Sequence, residues 1–141
     1  SVTIGSGLTE ISTWMFAGCS SLTSVPLFDT HNVVSMYRTF EHCYSLSSIP
    51  LLDTSNVDGM YSTFEGCSSL TSIPLFDTHK VRTMWHTFYN CVNVQTGALA
   101  LYRQASTQQN PPGNHIWTFR NCGINTQTGS AELAKIPSGW K

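Results

Sequence analysis

Charge is scarce in this chain: 11% of its 141 residues are Asp, Glu, Lys or Arg, and the formal net charge is −1. No basic field is therefore available for a nucleic acid or an anionic membrane, and no acidic tail offers itself to a cationic partner. No apolar run reaches the roughly 18 residues that span a bilayer, and no charged-then-apolar leader precedes a cleavage site. An initiator Met is missing as well; a start at Ser1 is expected of a piece of a longer polypeptide. Catalytic signatures are equally absent. The sequence has no GxSxG, no phosphate-binding glycine loop and no HExxH. His31, His42, His79 and His86 share no motif with a nucleophile and an acid. They read as surface histidines, and neither an enzyme activity nor a cofactor is expected.

What the chain does have is a repeat. Cys19, Cys43, Cys67 and Cys91 recur every 24 residues, and Phe16, Phe40, Phe64 and Phe88 keep the same step three residues earlier. Met36, Met60 and Met84, Val33, Val57 and Val81, Leu22, Leu46 and Leu70, and Pro26, Pro50 and Pro74 share it. A displaced copy returns at Phe119 and Cys122. A unit this short cannot enclose a core, so its apolar side must be covered by the next copy, which predicts an α/β repeat solenoid. Val33, Met36, Phe40 and Cys43 are spaced as on one side of a short helix, and Leu46, Ile49 and Leu51 lie in a short β-type run ended by proline. One short helix and one short strand per coil is the expectation. Asp29, Asp53 and Asp77 precede each helical segment as candidate caps. A calcium-binding row of these carboxylates is the alternative, but no second oxygen-rich position accompanies each Asp.

Five cysteines invite a disulfide scheme. Stacking argues against it, because coils about 4.8 Å apart hold equivalent Cβ atoms slightly beyond disulfide reach. Zinc needs convergent ligands, whereas a ladder sets its sulfurs in a line. Free buried thiols are expected, with no metal site and no nucleophilic Cys.

The stretches MFAGCSSLTSVP at Met15 to Pro26, TFEGCSSLTSIP at Thr63 to Pro74 and DTSNV at Asp53 to Val57 resemble the leucine-rich-repeat surface proteins of the BspA-like type, over about Val2 to Cys91. Thr39, Thr63 and Thr87 depart from the Met or Ala usual before Phe. The resemblance implies a curved solenoid with a parallel sheet on one face, location on a bacterial surface, and binding or adhesion in place of catalysis. The segment after the repeats looks like those that follow such repeats in gut bacteria and their phages. From the residues themselves, 95–108 should form one conventional helix, Asn110 to Gly113 a loop, and Ala131 to Ile136 another short apolar segment. Residues 1–91 read as the solenoid and 92–141 as a cap on its last coil, in one continuous domain.

Three aligned copies agree on Asp, Thr, Val, Met, Thr, Phe and Cys but differ at sets such as Val34/Asp58/Arg82, Arg38/Ser62/His86, His42/Gly66/Asn90 and Tyr44/Ser68/Val92. On a helical wheel these positions face away from the core side, and stacking would merge them into one surface. Glu41 and Glu65 belong to that surface, and Tyr37, Tyr61, Trp85, Tyr89 and Trp117 border it. Trp14 extends the ring row at the first coil, and Arg120 continues the face at the last. Drift on a solvated face favours Lys and Glu; Tyr, Trp, His, Arg, Ser and Asn are the residues of binding surfaces. The residues that differ in all three copies also belong to the set reached by randomising the adenines of an Asn codon, as retroelements do in some phage and bacterial binding proteins; Trp85 and Glu41 fall outside it. The expected function is a non-catalytic module that recognises a protein or glycan on a host or neighbouring cell, carried on a bacterial surface or a phage particle. The alternative is a spacer or stalk segment with no ligand of its own.

Overall fold

In the computed structural model, which describes residues 11–141, successive coils are joined by backbone hydrogen bonds running along the solenoid axis. The N–H groups of Met36, Arg38, Phe40 and His42 donate to the carbonyls of Gly59, Tyr61, Thr63 and Glu65 in the next coil, at 2.7–2.9 Å. The intervening residues bond locally instead: Thr39 N–H to Met36, Glu41 to Arg38 and Cys43 to Phe40. The pattern recurs from Met60, Ser62, Phe64 and Gly66 to Thr83, Trp85, Thr87 and Tyr89, and from Met84, His86, Phe88 and Asn90 to Asn114, Ile116, Thr118 and Arg120. Single-residue parallel bridges between coils fall in two rows, Ser35–Gly59–Thr83–Asn114 on one side and Ser24–Ser48 and Ser72–Thr96 on another.

This arrangement corrects the expected helix in each coil. The segments 36–43, 60–67 and 84–91 are chains of turns, with a residue of positive φ at every fourth position, such as Arg38 (φ 52) and His42 (φ 59). A left-handed residue turns alternate N–H groups out of the helical i→i−4 path and along the axis. The apolar spacing of three to four residues is common to both geometries, which is why it read as a helix. The expected strand is likewise reduced to isolated bridges among the described residues. Nor does Leu51 join Leu46 and Ile49 in the core. Leu27, Leu51 and Leu75 are 71%, 61% and 52% exposed, and the following Phe28, Leu52 and Phe76 turn inward.

The repeated residues are those that meet the neighbouring coil. Phe16, Phe40, Phe64, Phe88 and Phe119 form one continuous ring stack, with centroids 5.3–6.0 Å apart and planes within 11° of parallel. The unusual threonines are buried and useful. Thr63 Oγ1 donates to Met36 O, Thr87 to Met60 O and Thr118 to Met84 O, each at 2.8 Å. Thr39, facing the first coil, finds no such partner among the described residues. All five thiols are free, and those of Cys43, Cys67 and Cys91 donate to the carbonyls of Phe16, Phe40 and Phe64 at 3.1–3.2 Å. Asp29, Asp53 and Asp77 do cap, but they cap a turn: each Oδ1 accepts the N–H two residues on, from His31, Ser55 and His79.

After the third full coil the chain leaves the frame as α1 (Ala98–Thr107), whose Ala98, Leu99, Leu101 and Ala105 are buried. Gly97 enters it with φ 104, and a Cβ there would fall on the carbonyl of Ile73, so only glycine fits this crossing. The helix docks by amide chemistry. Thr30 and Thr54 hydroxyls donate to the carbonyls of Asp53 and Asp77, and where a further coil would continue that row Thr78 donates to Gln108 Oε1. Gln108 Nε2 returns a bond to Thr78 O. The segment Ala131 to Ile136 is mostly helical, as part of α2 (Gln127–Ala134), with Thr126 as N-cap to Gly129. Glu132 of α2 accepts the N–H of Leu99 at the start of α1. Trp140 closes the last coil: its carbonyl accepts Phe119 N–H, and its ring stacks 4.2 Å from His115.

Two outcomes follow from these ladders. Thr63→Val strips a buried donor and should cost about 1 kcal/mol in denaturant unfolding, whereas Thr39→Val should be neutral or stabilising; equal losses would mean the cross-coil bond contributes nothing. Burial pushes the Cys43 thiol up to about 12 and raises those of Cys67, Cys91 and Cys122 as well. A raised thiol contributes stability that is complete below the free value of about 8.5 and is lost as pH climbs through the folded one. Unfolding midpoints should therefore begin to fall above that pH, and at pH 8 a thiol reagent should modify Cys19 alone until denaturant is added. Rapid native modification of Cys67 would contradict the ladder.

Candidate functional site

The two positive-φ positions of each coil carry much of the variable set. Trp14, Arg38, Ser62, His86 and Trp117 occupy the first column, with φ between 48 and 67. Gly18, His42, Gly66, Asn90 and Asn121 occupy the second. A side chain in the left-handed region costs about 1–2 kcal/mol, and Gly and Asn tolerate it best. Arg, Ser, His and Trp are held there because the coil-to-coil hydrogen bonds fix the backbone on both sides.

Beside the first column runs a stack of rings. Tyr37 and Tyr61 lie 4.6 Å apart at 15°, and Tyr61 and Trp85 lie 4.5 Å apart at 39°. Trp14 meets Tyr37 edge-on at 5.9 Å. His86 fills the far end, 4.0 Å from Trp85, 4.6 Å from Tyr89 and 5.5 Å from Trp117. Two guanidinium groups cover ring faces: Arg38 lies 4.7 Å from Trp14 and 5.3 Å from Tyr61, and Arg120 lies 4.4 Å from Trp117. By register Trp14 and Trp117 belong to the left-handed column, not to the Tyr37–Tyr61–Trp85 column they were expected to prolong.

Two carboxylates sit under this row. Arg38 Nη1 reaches both oxygens of Glu41, at 3.0 and 3.2 Å. Glu65 Oε2 accepts Ser62 Oγ at 2.6 Å and lies 3.3 Å from His86 Nδ1. Glu41 and Ser62 are buried, 6% and 0% exposed, so the helical wheel misplaced them as outward residues. The turn geometry instead folds them between neighbouring coils. Tyr44 is exposed and lies 5.6 Å from His42. Asn90 accepts a 2.8 Å bond from Asn121.

Val34, Asp58 and Arg82 do not join the rings. They line a groove of about 760 Å³ together with Asn56, His79, Lys80 and the Asn110–Gly113 loop, and none of the ring residues lines it. The single expected face is therefore two. The wheel merged them because it ran a helical rotation through Ser35 to Arg38, where the backbone instead makes a bridge and then a left-handed turn. Lys80 and Asn56 in the groove, and Asn121 in the second column, were not anticipated. Asn121 could have been found by carrying Asn90 forward in register with Cys91 and Cys122.

Residues 1–100 match six copies of the BspA type leucine-rich repeat region. The chain belongs to this family. Comparison with curated proteins and with solved structures gave no match. BspA-type repeats are generally surface-associated and typically non-enzymatic. Residues 2–10 of the sequence resemblance lie outside the described residues. Among the described residues, no helix is long and apolar enough to cross a membrane.

The BspA-type stack couples its variable positions. A Cβ on Gly66, where φ is +74, would lie 2.5 Å from His42 Nδ1. Gly66→Ala should cost at least about 1–2 kcal/mol from backbone strain, and His42→Ala in the same chain should return the part due to the ring. Strict additivity in this double-mutant cycle would show that neighbours within the second column do not touch.

Proposed function

We propose that this BspA-type chain is a non-catalytic recognition module that binds a protein on a host or neighbouring cell through the ring row and its two left-handed columns. The reading rests on one observation above others, the use of the ring faces. Tyr37, Tyr61 and Trp85 turn their faces on one another, and Trp117 has His86 on one side and Arg120 near its ring. A glycan would need an open face to lie on, whereas a protein partner can use ring edges, hydroxyls and guanidinium groups. Trp, Tyr and Arg are also the residues on which protein interfaces concentrate their energy.

In this reading residues 1–91 form the recognition solenoid and 92–141 the cap that ends it. The module sits on a bacterial surface or a phage particle, and the positions that differ in all three aligned copies are diversified, with retroelement randomisation of Asn codons as the proposed route. A near-identical template copy beside the gene supports that route, and its absence removes it.

A protein array followed by a glycan array tests the choice of ligand. The expected result is a protein hit that weakens by about 2 kcal/mol or more when Tyr37 or Trp85 is replaced by Ala, with no glycan hit. A glycan hit lost in the same variants would replace the protein reading. No hit in either array, with host attachment unchanged in the Tyr37, Trp85 and His86 alanine variants, would make the segment a spacer.

A further inference from the structure

The sequence offered no metal site, because its cysteines stand in a line and its acids carry no metal motif. Stacking nevertheless brings Glu41, His42 and Glu65 together, with one ligand atom from each lying within 4.8 Å of the others. We propose that these three side chains form a binding site for a divalent transition-metal ion of the zinc class, on the same side of the solenoid as the ring row.

Three observations carry the assignment. The donors are two carboxylates and an imidazole, a mixed set that suits zinc, while calcium takes six to eight oxygens and magnesium keeps mostly oxygen and water. Two of the three donors are also poorly used in the absence of an ion. Among the described residues, His42 Nδ1 is shut off from solvent with no hydrogen-bond partner, and Glu65 makes its bonds through Oε2 alone. Finally, the site is sheltered: the Glu41 and Glu65 side chains are 8% and 18% exposed. Zinc bonds to nitrogen and oxygen of about 2.0–2.2 Å ask the three ligands to draw closer than they now stand. Side-chain rotation supplies that movement, since the backbones of His42 and Glu65 are already joined by a 2.7 Å hydrogen bond. Three protein ligands leave a fourth position open.

Arg38 is the resident competitor. Its guanidinium holds both oxygens of Glu41 and cannot lose its charge, so an ion must release at least one of them. The next coil has Ser62 at the equivalent position. Arg38→Ser is therefore a substitution the fold already accommodates, and it should favour the ion.

The experiment is calorimetric titration of the chelator-stripped full chain with zinc chloride, paired with thermal unfolding with and without the ion. Binding of one ion with a raised unfolding temperature is expected. Arg38→Ser should tighten it about tenfold, and His42→Ala and Glu65→Gln should each weaken it by about 10–100-fold or more. A His31→Ala/His79→Ala variant, which removes the two exposed Asp–His pairs, should bind as the parent does. The proposal is overturned if neither the parent nor Arg38→Ser binds zinc, or if binding follows His31 and His79 instead of His42 and Glu65. Should Glu65→Gln fail to fold by circular dichroism, the gain in Arg38→Ser and its loss on adding His42→Ala decide the matter. The titration contains no protein partner, so its result stands apart from that of the ligand arrays.

Discussion

Everything in this chain depends on backbone N–H groups that point along the solenoid axis and are accepted by the next coil. A helix would satisfy those donors within its own segment and leave neighbouring coils to meet through side chains alone. Here alternate donors are exported, and each export needs the chain to turn through a left-handed residue every fourth position. The strain of a non-glycine side chain there, about 1–2 kcal/mol, is comparable with the net worth of one hydrogen bond, about 1 kcal/mol. Neither is stable by itself. A coil keeps its shape only while it lies between two others, which is the general condition of repeat proteins.

That dependence explains which letters repeat. Phe stacks on Phe, the Cys thiol donates to the preceding Phe carbonyl, and the buried Thr donates to the preceding Met carbonyl. Each is a contact with the neighbour, so each must recur in step. The ends of the stack need substitutes. Gln108 presents a side-chain carbonyl where a further coil in the same row would have offered a backbone one, and Trp140 offers its own carbonyl to Phe119. A side-chain amide works for Thr78 because it carries the same donor and acceptor pair as a peptide group.

The period, the stacked core and the free thiols were legible in the sequence because each is written as identity at fixed spacing. The turn geometry was not. Glycine announces a left-handed residue, and Gly18 and Gly66 do so, but Arg38, Ser62 and His86 carry no such mark. A wheel drawn through them therefore put Glu41 and Ser62 outside, and merged the groove at Val34, Asp58 and Arg82 with the ring row. The short helix α2 escaped because QTGSAELA has no apolar stripe and buries only Gly129. Which positions vary between copies was legible in the sequence, and their division into two faces and a buried acidic layer was not.

Variation on such a scaffold is not free at each position. The His42 ring lies against Gly66, so a side chain at one coil presses on the next. Glu65 is shared between Ser62 of its own coil and His86 of the following one, and Arg38 spans Glu41, Trp14 and Tyr61 across three coils. A change at any of these positions alters the partners of at least one neighbour. The left-handed columns therefore vary within fixed backbone angles but in linked sets, one coil constraining the next. A surface built this way can present many different patterns without moving its backbone, because the hydrogen bonds that set those angles lie beneath the side chains that differ.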